Sequence, residues 1–198
     1  MVMVLSARYR RIFKPYLERL AKVVAIHPNV ITVTGIVIAL IAAYYYAQAE
    51  WVFGSLVAAL AALVDALDGA VARYWGKTSK WGAYLDAMTD RIVEGILLFG
   101  IGWGSGLWPI VYVIMLASIL ISYAKARAAM EIDVDNVNWP DLFERAERLI
   151  AIVVGVPIAA QFENGLMWYL LALAIAFSTV GVGQRMYRVW KRMRAGGQ

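Results

Sequence analysis

The sequence predicts an all-α integral membrane protein: six transmembrane helices, an N-terminal amphipathic interfacial helix, and both termini cytoplasmic. Three observations carry this. The chain has 198 residues, 62% of them hydrophobic and only 17% charged. Apolar runs of the ~20 residues needed to cross a bilayer recur along it. The 19 Lys and Arg residues gather at one set of run ends and leave the other set bare. Little sequence remains for a soluble domain, so residues 1–198 are expected to form one membrane domain. It comprises an interfacial helix over 1–27 and a six-helix bundle over 28–198. The absence of cysteine excludes disulfides and thiolate metal sites. The first 25 residues carry six Lys and Arg and lack an apolar core of their own, so no secretory signal is expected.

The elements follow in order. In LSARYRRIFKPYLERLAKVV, Leu5, Tyr9, Ile12, Tyr16, Leu20 and Val23 recur at helical spacing with basic residues between them. That is the pattern of a helix lying on an anionic leaflet. A plain basic anchor is the alternative, and Pro15 is a point of bending. His27-Pro28-Asn29 then interrupts the helix, with Asn29 suited to cap the first span. His27 has no second histidine with which to complete a metal set. The spans are read at about 30–48, 52–73, 83–102, 107–127, 146–161 and 166–187. The polar stretch 131–143 joins the fourth and fifth; its acids lack the spacing and central glycine of a calcium loop, so it reads as a solvated connection. Gly95, Gly100, Gly102, Gly104 and Gly106 read as close-packing positions. The eight Trp and eleven Tyr suit interfacial belts.

Charge sets the orientation. Arg8, Arg10, Arg11, Lys14, Arg19 and Lys22 precede the first span, and Arg73, Lys77 and Lys80 lie between the second and third, with Arg91 about two turns inside the third. Lys125 and Arg127 end the fourth, Arg145 and Arg148 open the fifth, and Arg185, Arg188, Lys191, Arg192 and Arg194 close the sixth. The opposite loops, near Glu50, Gly102–Gly106 and Glu163, carry no Lys or Arg. By the positive-inside rule the basic side is the cytoplasm, which puts the protein in the cytoplasmic membrane with its chemistry at the cytoplasmic face.

Four aspartates, Asp65, Asp68, Asp86 and Asp90, stand within this apolar framework. Each costs roughly 2.5–3.5 kcal/mol at a helix centre, or about 10 for four left bare, against a typical domain stability of ~5–15 kcal/mol. They must therefore lie near the interface, face a cation, or both. Asp65 and Asp68 are three residues apart and Asp86 and Asp90 four apart, so each pair shares a helix face. Counted from the intervening basic turn at ~1.5 Å per residue, both pairs sit ~6–12 Å inside the helix ends, at matching depth. A cluster of carboxylates without His or Cys selects Mg²⁺, Mn²⁺ or Ca²⁺ over zinc. Gly69, Ala72 and Gly82 admit a bulky group close to the backbone, and Arg73 offers fixed positive charge for a phosphate. Together these residues describe a diphosphate site at the membrane surface. An ion pathway is the alternative, but a relay strings acids across the bilayer, whereas these share one level. No inverted repeat supports transport either.

The string Asp65-x₂-Asp68-Gly69-x₂-Ala72-Arg73-x₈-Gly82-x₃-Asp86-x₃-Asp90 resembles the full signature of the CDP-alcohol phosphotransferases, with eight specified positions matched over 26 residues. The six-span layout resembles that family as well. The resemblance implies that Asp65, Asp68 and Asp86 ligate a divalent metal, Mg²⁺ or Mn²⁺ and in all two ions. It makes Asp90 the general base and a ligand of the second ion. Gly69, Ala72 and Gly82 make room for cytidine and Arg73 holds phosphate, with Asp68 also facing the CDP-lipid. The Pro28-Asn29-x₂-Thr32 element is similar to the nucleotide-lining segment, adding Asn29 and Thr32. The implied reaction moves a phosphatidyl or archaetidyl group from a CDP-linked lipid, CDP-diacylglycerol or CDP-archaeol, onto an alcohol and releases CMP. A homodimer is implied too, and no nucleic-acid partner.

The second basic cluster speaks to the acceptor. An alcohol already bearing phosphate needs several cations, whereas serine or choline does not. SYAKARAAME and ERAERLI resemble segments of the phosphatidylinositol-phosphate and archaetidylinositol-phosphate synthase branch. That likeness points to Lys125, Arg145 and Arg185 as the acceptor-phosphate clamp, with Arg127 and Arg148 structural. Inositol-1-phosphate is the expected acceptor and glycerol-3-phosphate the runner-up.

Overall fold

The computed structural model describes residues 15–131, 145–162 and 165–195. The expected interfacial positions Leu5, Tyr9 and Ile12, and nearly all of the 131–143 connection, lie outside them. Among the described residues the chain is all helical, in two compact units that divide at Gly106.

The first unit holds α1 (15–23), α2 (Pro28–Ala47), α3 (Trp51–Tyr74) and α4 (Lys80–Ser105). His27 caps α2, correcting the expectation for Asn29. Its backbone is extended and its Nδ1 accepts from the Asn29 N–H at 3.3 Å. Pro28 takes the first helical position, where a missing N–H leaves nothing unpaired. At the far end of the α3–α4 turn, Ser79 caps α4 by accepting from the Gly82 N–H at 2.9 Å. Gly76 supplies the turn's left-handed backbone at φ 62°.

Helix α2 is the central member, packed along both α3 and α4. The crossings are tight enough to exclude side chains. A Cβ on Gly100 would stand 2.5 Å from the Ala43 carbonyl oxygen, one on Gly104 would strike the Tyr46 backbone, and one on Gly54 would enter the Tyr46 ring. Two of the glycines read as packing positions are therefore packing positions, whereas Gly106 ends α4 in the left-handed conformation at φ 70°. Buried Tyr46 donates to or accepts from Ser55 Oγ at 2.9 Å, which satisfies its hydroxyl between α2 and α3.

Helix α1 docks by one face only. Leu17, Ala21 and Val24 join Ile31, Ala70 and Val71 in a small core. The Trp75 indole N–H, at the end of α3, lies 3.1 Å from both the Ala21 and Val24 carbonyls. Tyr16, Leu20 and Val23 stay exposed on the other side.

The second unit holds α5 (Trp108–Ala128), α6 (Arg145–Ile150), a π-turn (Ala151–Gly155), α7 (Val156–Ala160) and α8 (Leu166–Ala195). Helices α5 and α8 pack together, and the Arg185 guanidinium of α8 donates to the Ile121 carbonyl of α5. The expected fifth span is thus one helical run over 145–160 whose middle turn, Ala151–Gly155, is a π-turn. Pro157 explains the wider turn: without an N–H it cannot bond the carbonyl four residues back, and the helix widens just before it while its backbone stays right-handed.

Among the described residues four helices are long and apolar enough to cross a membrane: α2, α3, α5 and the Tyr169–Arg194 stretch of α8. Helix α4, at 26 residues, is long enough, but Asp86, Asp90, Arg91 and Glu94 dilute its apolar content. The 145–160 stretch is short. Large apolar side chains cover the outside as well as the core; Val30, Val33, Val37, Leu40 and Tyr44 form an exposed stripe along α2.

Candidate active site

Helical periodicity delivers the carboxylates. Asp65 and Asp68 leave the same face of α3 near its C-terminal end, and Asp86 leaves the second turn of α4. One carboxylate oxygen from each lies within 4.8 Å of the others. Points no more than 4.8 Å apart lie within about 2.8 Å of a common centre (the side divided by √3); hard divalent cations take oxygen ligands at ~2.0–2.6 Å. The donor set, oxygen only, therefore fits such a cation after small side-chain adjustments. Asp68 is buried at 5% exposure and accepts a hydrogen bond at Oδ2 from the Thr32 hydroxyl of α2, itself 6% exposed.

Beside the trio lies a cavity of about 160 Å³. Every residue expected on the CDP-lipid side lines it: Asn29, Thr32, Asp68, Gly69, Ala72, Arg73 and Gly82. At both glycines of the wall a neighbouring polar side chain approaches the space a Cβ would take. A Cβ on Gly69 would lie 3.2 Å from Arg73 Nη1, so the guanidinium folds back over Gly69. One on Gly82 would lie 3.2 Å from Ser79 Oγ and 3.6 Å from Asn29 Oδ1.

The wall also includes Lys77, Thr78 and Ser79, which the sequence reading missed. In sequence Lys77 stands only as orienting charge. The signal was a polar Lys-Thr-Ser run leading into a helix whose third residue, Gly82, belongs to the motif.

Asp90 stands one turn beyond Asp86, half-buried, and is not part of the converging trio. One turn further, Glu94 is 2% exposed and pairs with Arg91 at 2.8 Å. Asp86, Asp90 and Glu94 thus form one acidic stripe at i, i+4 and i+8. In the second unit Arg185 is buried, Lys125 lies half-buried in the last turn of α5, and Arg145 opens α6 with its side chain outside the described set. Arg148 is also buried, whereas Arg127 is exposed and pairs with Glu131.

Carboxylates that converge near the end of an apolar helix of membrane length, beside an arginine and a small-residue cavity, form a candidate site whose oxygen donors suit a divalent cation. Residues 25–180 match the sequence model of the CDP-alcohol phosphatidyltransferases, and the chain belongs to that family of integral membrane enzymes. Archaetidylinositol phosphate synthase of Pyrococcus horikoshii is 34% identical over 187 residues, spanning 92% of this chain and 95% of its own. Phosphatidylinositol phosphate synthase of Mycobacteroides abscessus is 36% identical over 175 residues, spanning 82% and 76%. Crystal structures of Mycobacterium tuberculosis phosphatidylinositol phosphate synthase match as well. The form with CDP-DAG bound gives a TM-score of 0.76 at 29% identity, covering 91% of this chain and 94% of that one. The form in complex with manganese and citrate gives 0.75 at 29% identity, covering 89% and 88%.

Proposed function

We propose that the chain transfers the phosphatidyl or archaetidyl group of a CDP-linked lipid to a hydroxyl of inositol-1-phosphate, releasing CMP. The observation that carries this is the convergence of Asp65, Asp68 and Asp86 beside a cavity walled by Arg73, Gly69 and Thr32. The relatives named as inositol phosphate synthases support the acceptor. A divalent cation held by the trio, Mg²⁺ or Mn²⁺ and in the full site two ions, would neutralise diphosphate charge and stabilise the departing phosphate. The chain's own groups do the rest. Arg73 binds phosphate over Gly69, and Asn29, Thr32, Ala72 and Gly82 shape the nucleotide wall. Asp90 takes the proton of the acceptor hydroxyl as its oxygen bonds to the lipid-side phosphorus and the bond to CMP breaks. Lys125, Arg145 and Arg185 hold the acceptor's phosphate.

The same reading takes residues 1–198 as one membrane domain of six spans, acting as a homodimer in the cytoplasmic membrane with both termini and the site at the cytoplasmic face. Aromatic residues support a spanning role for α4 despite its acids. Exposed Trp81 and Trp103 stand about 22 residues apart on it, or ~33 Å at 1.5 Å per residue, close to the ~30 Å apolar thickness of a bilayer. The exposed Tyr16, Leu20 and Val23 support α1 as the interfacial helix.

CMP release in detergent with Mg²⁺ tests the reaction. CDP-diacylglycerol and CDP-archaeol are each offered with inositol-1-phosphate, glycerol-3-phosphate, serine or free inositol. Release is expected with inositol-1-phosphate alone. Release with glycerol-3-phosphate instead would move the acceptor, and no release with any pairing would overturn the enzyme reading.

A further inference from the structure

The sequence reading puts Thr32 on the nucleotide wall; the geometry points to a second task. We infer that Thr32 is a positioning residue of the metal site, its hydroxyl aiming the Asp68 carboxylate into the trio. The inference rests on the metal reading proposed above. The Thr32 hydroxyl has one proton and two acceptors within reach, Asp68 Oδ2 and, at 3.1 Å, the Pro28 carbonyl. Pro28 lies in the first turn of α2, where the N–H four residues on is the ordinary partner of its carbonyl. The side-chain proton is therefore best used on the carboxylate, an ionised acceptor.

What this does for Asp68 follows from torsional freedom. An aspartate carboxyl turns about a broad, two-fold torsion, so a buried carboxylate needs an external hold to present one fixed oxygen. Threonine supplies it, because a β-branched side chain in a helix has few χ1 choices. The hold crosses between helices: Thr32 is on α2 and Asp68 on α3, 36 residues apart in sequence. It is rigid because α2 is the helix clamped between α3 and α4 at the Ala43–Gly100 and Tyr46–Gly54 contacts. Thr32 also lines the cavity with Asn29, so one turn of α2 serves both the nucleotide wall and a metal ligand. Partners that orient metal ligands are worth ~10–100-fold in metal affinity.

The test is Mn²⁺ titration of the detergent-solubilised, nucleotide-free protein, read by the electron paramagnetic resonance of free Mn²⁺ and by competition with Mg²⁺. Thr32→Val should raise the Mn²⁺ Kd about 10- to 100-fold, and Thr32→Ser, which keeps the hydroxyl, should stay within about threefold of wild type. Thr32→Ala gives the same reading if the valine variant expresses poorly, and melting curves report the fold of each. The KM for the CDP-lipid, measured at saturating Mn²⁺, reports the nucleotide-wall role separately. Unchanged Mn²⁺ affinity in Thr32→Val with a raised CDP-lipid KM would overturn the assignment and leave Thr32 as nucleotide wall only. Loss in Thr32→Ser equal to that in Thr32→Val would overturn it too, since the methyl and not the hydroxyl would then matter. No Mn²⁺ binding by the wild-type protein would overturn the metal reading itself.

Discussion

Gly69→Ala separates the needs of the site from the needs of the fold. The three atoms nearest a Cβ at position 69 are Arg73 Nη1, Nη2 and Cζ, at 3.2, 3.8 and 3.9 Å. The methyl therefore meets the far end of a flexible side chain and no backbone. Stability should hold or rise, because alanine is better than glycine in a helix interior by up to ~1 kcal/mol. Arg73, however, must leave its place over Gly69, and the methyl enters a cavity of only about 160 Å³. A charge-assisted hydrogen bond to phosphate is worth about 1.5–3 kcal/mol, which converts to a fall of about 10- to 150-fold in kcat/KM for the CDP-lipid. The assay is CMP release at varied CDP-lipid, beside a melting curve in detergent. Gly100→Ala is the contrast: its Cβ would stand 2.5 Å from the Ala43 carbonyl, a backbone clash of the kind that costs ~1–3 kcal/mol. It should lower the melting temperature and leave the KM of the folded fraction alone. Gly69→Ala with unchanged kcat/KM, or with the melting loss expected of Gly100→Ala, would refute the reasoning.

Three further outcomes follow from the same geometry. Asp90→Asn should keep CDP-lipid binding, measured by ligand-induced melting shift, while kcat falls ~10²–10⁴-fold; retained turnover removes Asp90 from the base role. Lys125→Ala combined with Arg185→Ala should raise the KM of the acceptor more than that of the CDP-lipid, and equal effects would sink the clamp. A cysteine introduced at Asn164, in a chain that has no other, should be labelled in intact cells by an impermeant thiol reagent. Labelling only after permeabilisation would reverse the topology.

The aspartate site was legible because it is written in helical periodicity: spacings of three and four fix which carboxylates share a face. The α2 cap was misread by two residues because Pro28, at the first helical position, pushes the capping role back to His27. Asn29 is drawn instead to the wall of the cavity. Pro157 inside the fifth apolar run is the visible sign that one turn of that helix would widen. The Thr32–Asp68 bond was not legible. It depends on the register of α2 against α3, which is set by where a glycine lets Tyr46 in, and no local pattern encodes that. Lys77 was hidden by a different cause, since the charge that orients a membrane protein and the charge that lines its site look alike in sequence.

The compensation of the buried acids leads to a last prediction. Glu94 is neutralised within its own helix by Arg91 at 2.8 Å, and Asp68 takes a hydrogen bond from Thr32. Neither interaction offsets the mutual repulsion of the trio, whose oxygens lie within 4.8 Å of one another. At that separation two like charges repel by roughly 3–4 kcal/mol at an effective dielectric of about 20, which is large beside a typical folding stability of ~5–15 kcal/mol. A divalent cation at the centre reverses the sign, and because it binds only the folded arrangement it stabilises by mass action, ~2.7 kcal/mol at one hundred times its Kd. Chelation should therefore lower the melting temperature of the detergent-solubilised protein, and added Mn²⁺ or Mg²⁺ should restore it in proportion to the logarithm of its concentration. Asp86→Asn removes one charge from the trio, so it should melt higher than wild type in chelator and respond less to metal. A wild-type melting temperature indifferent to both chelator and metal would mean that the three carboxylates converge for some other reason.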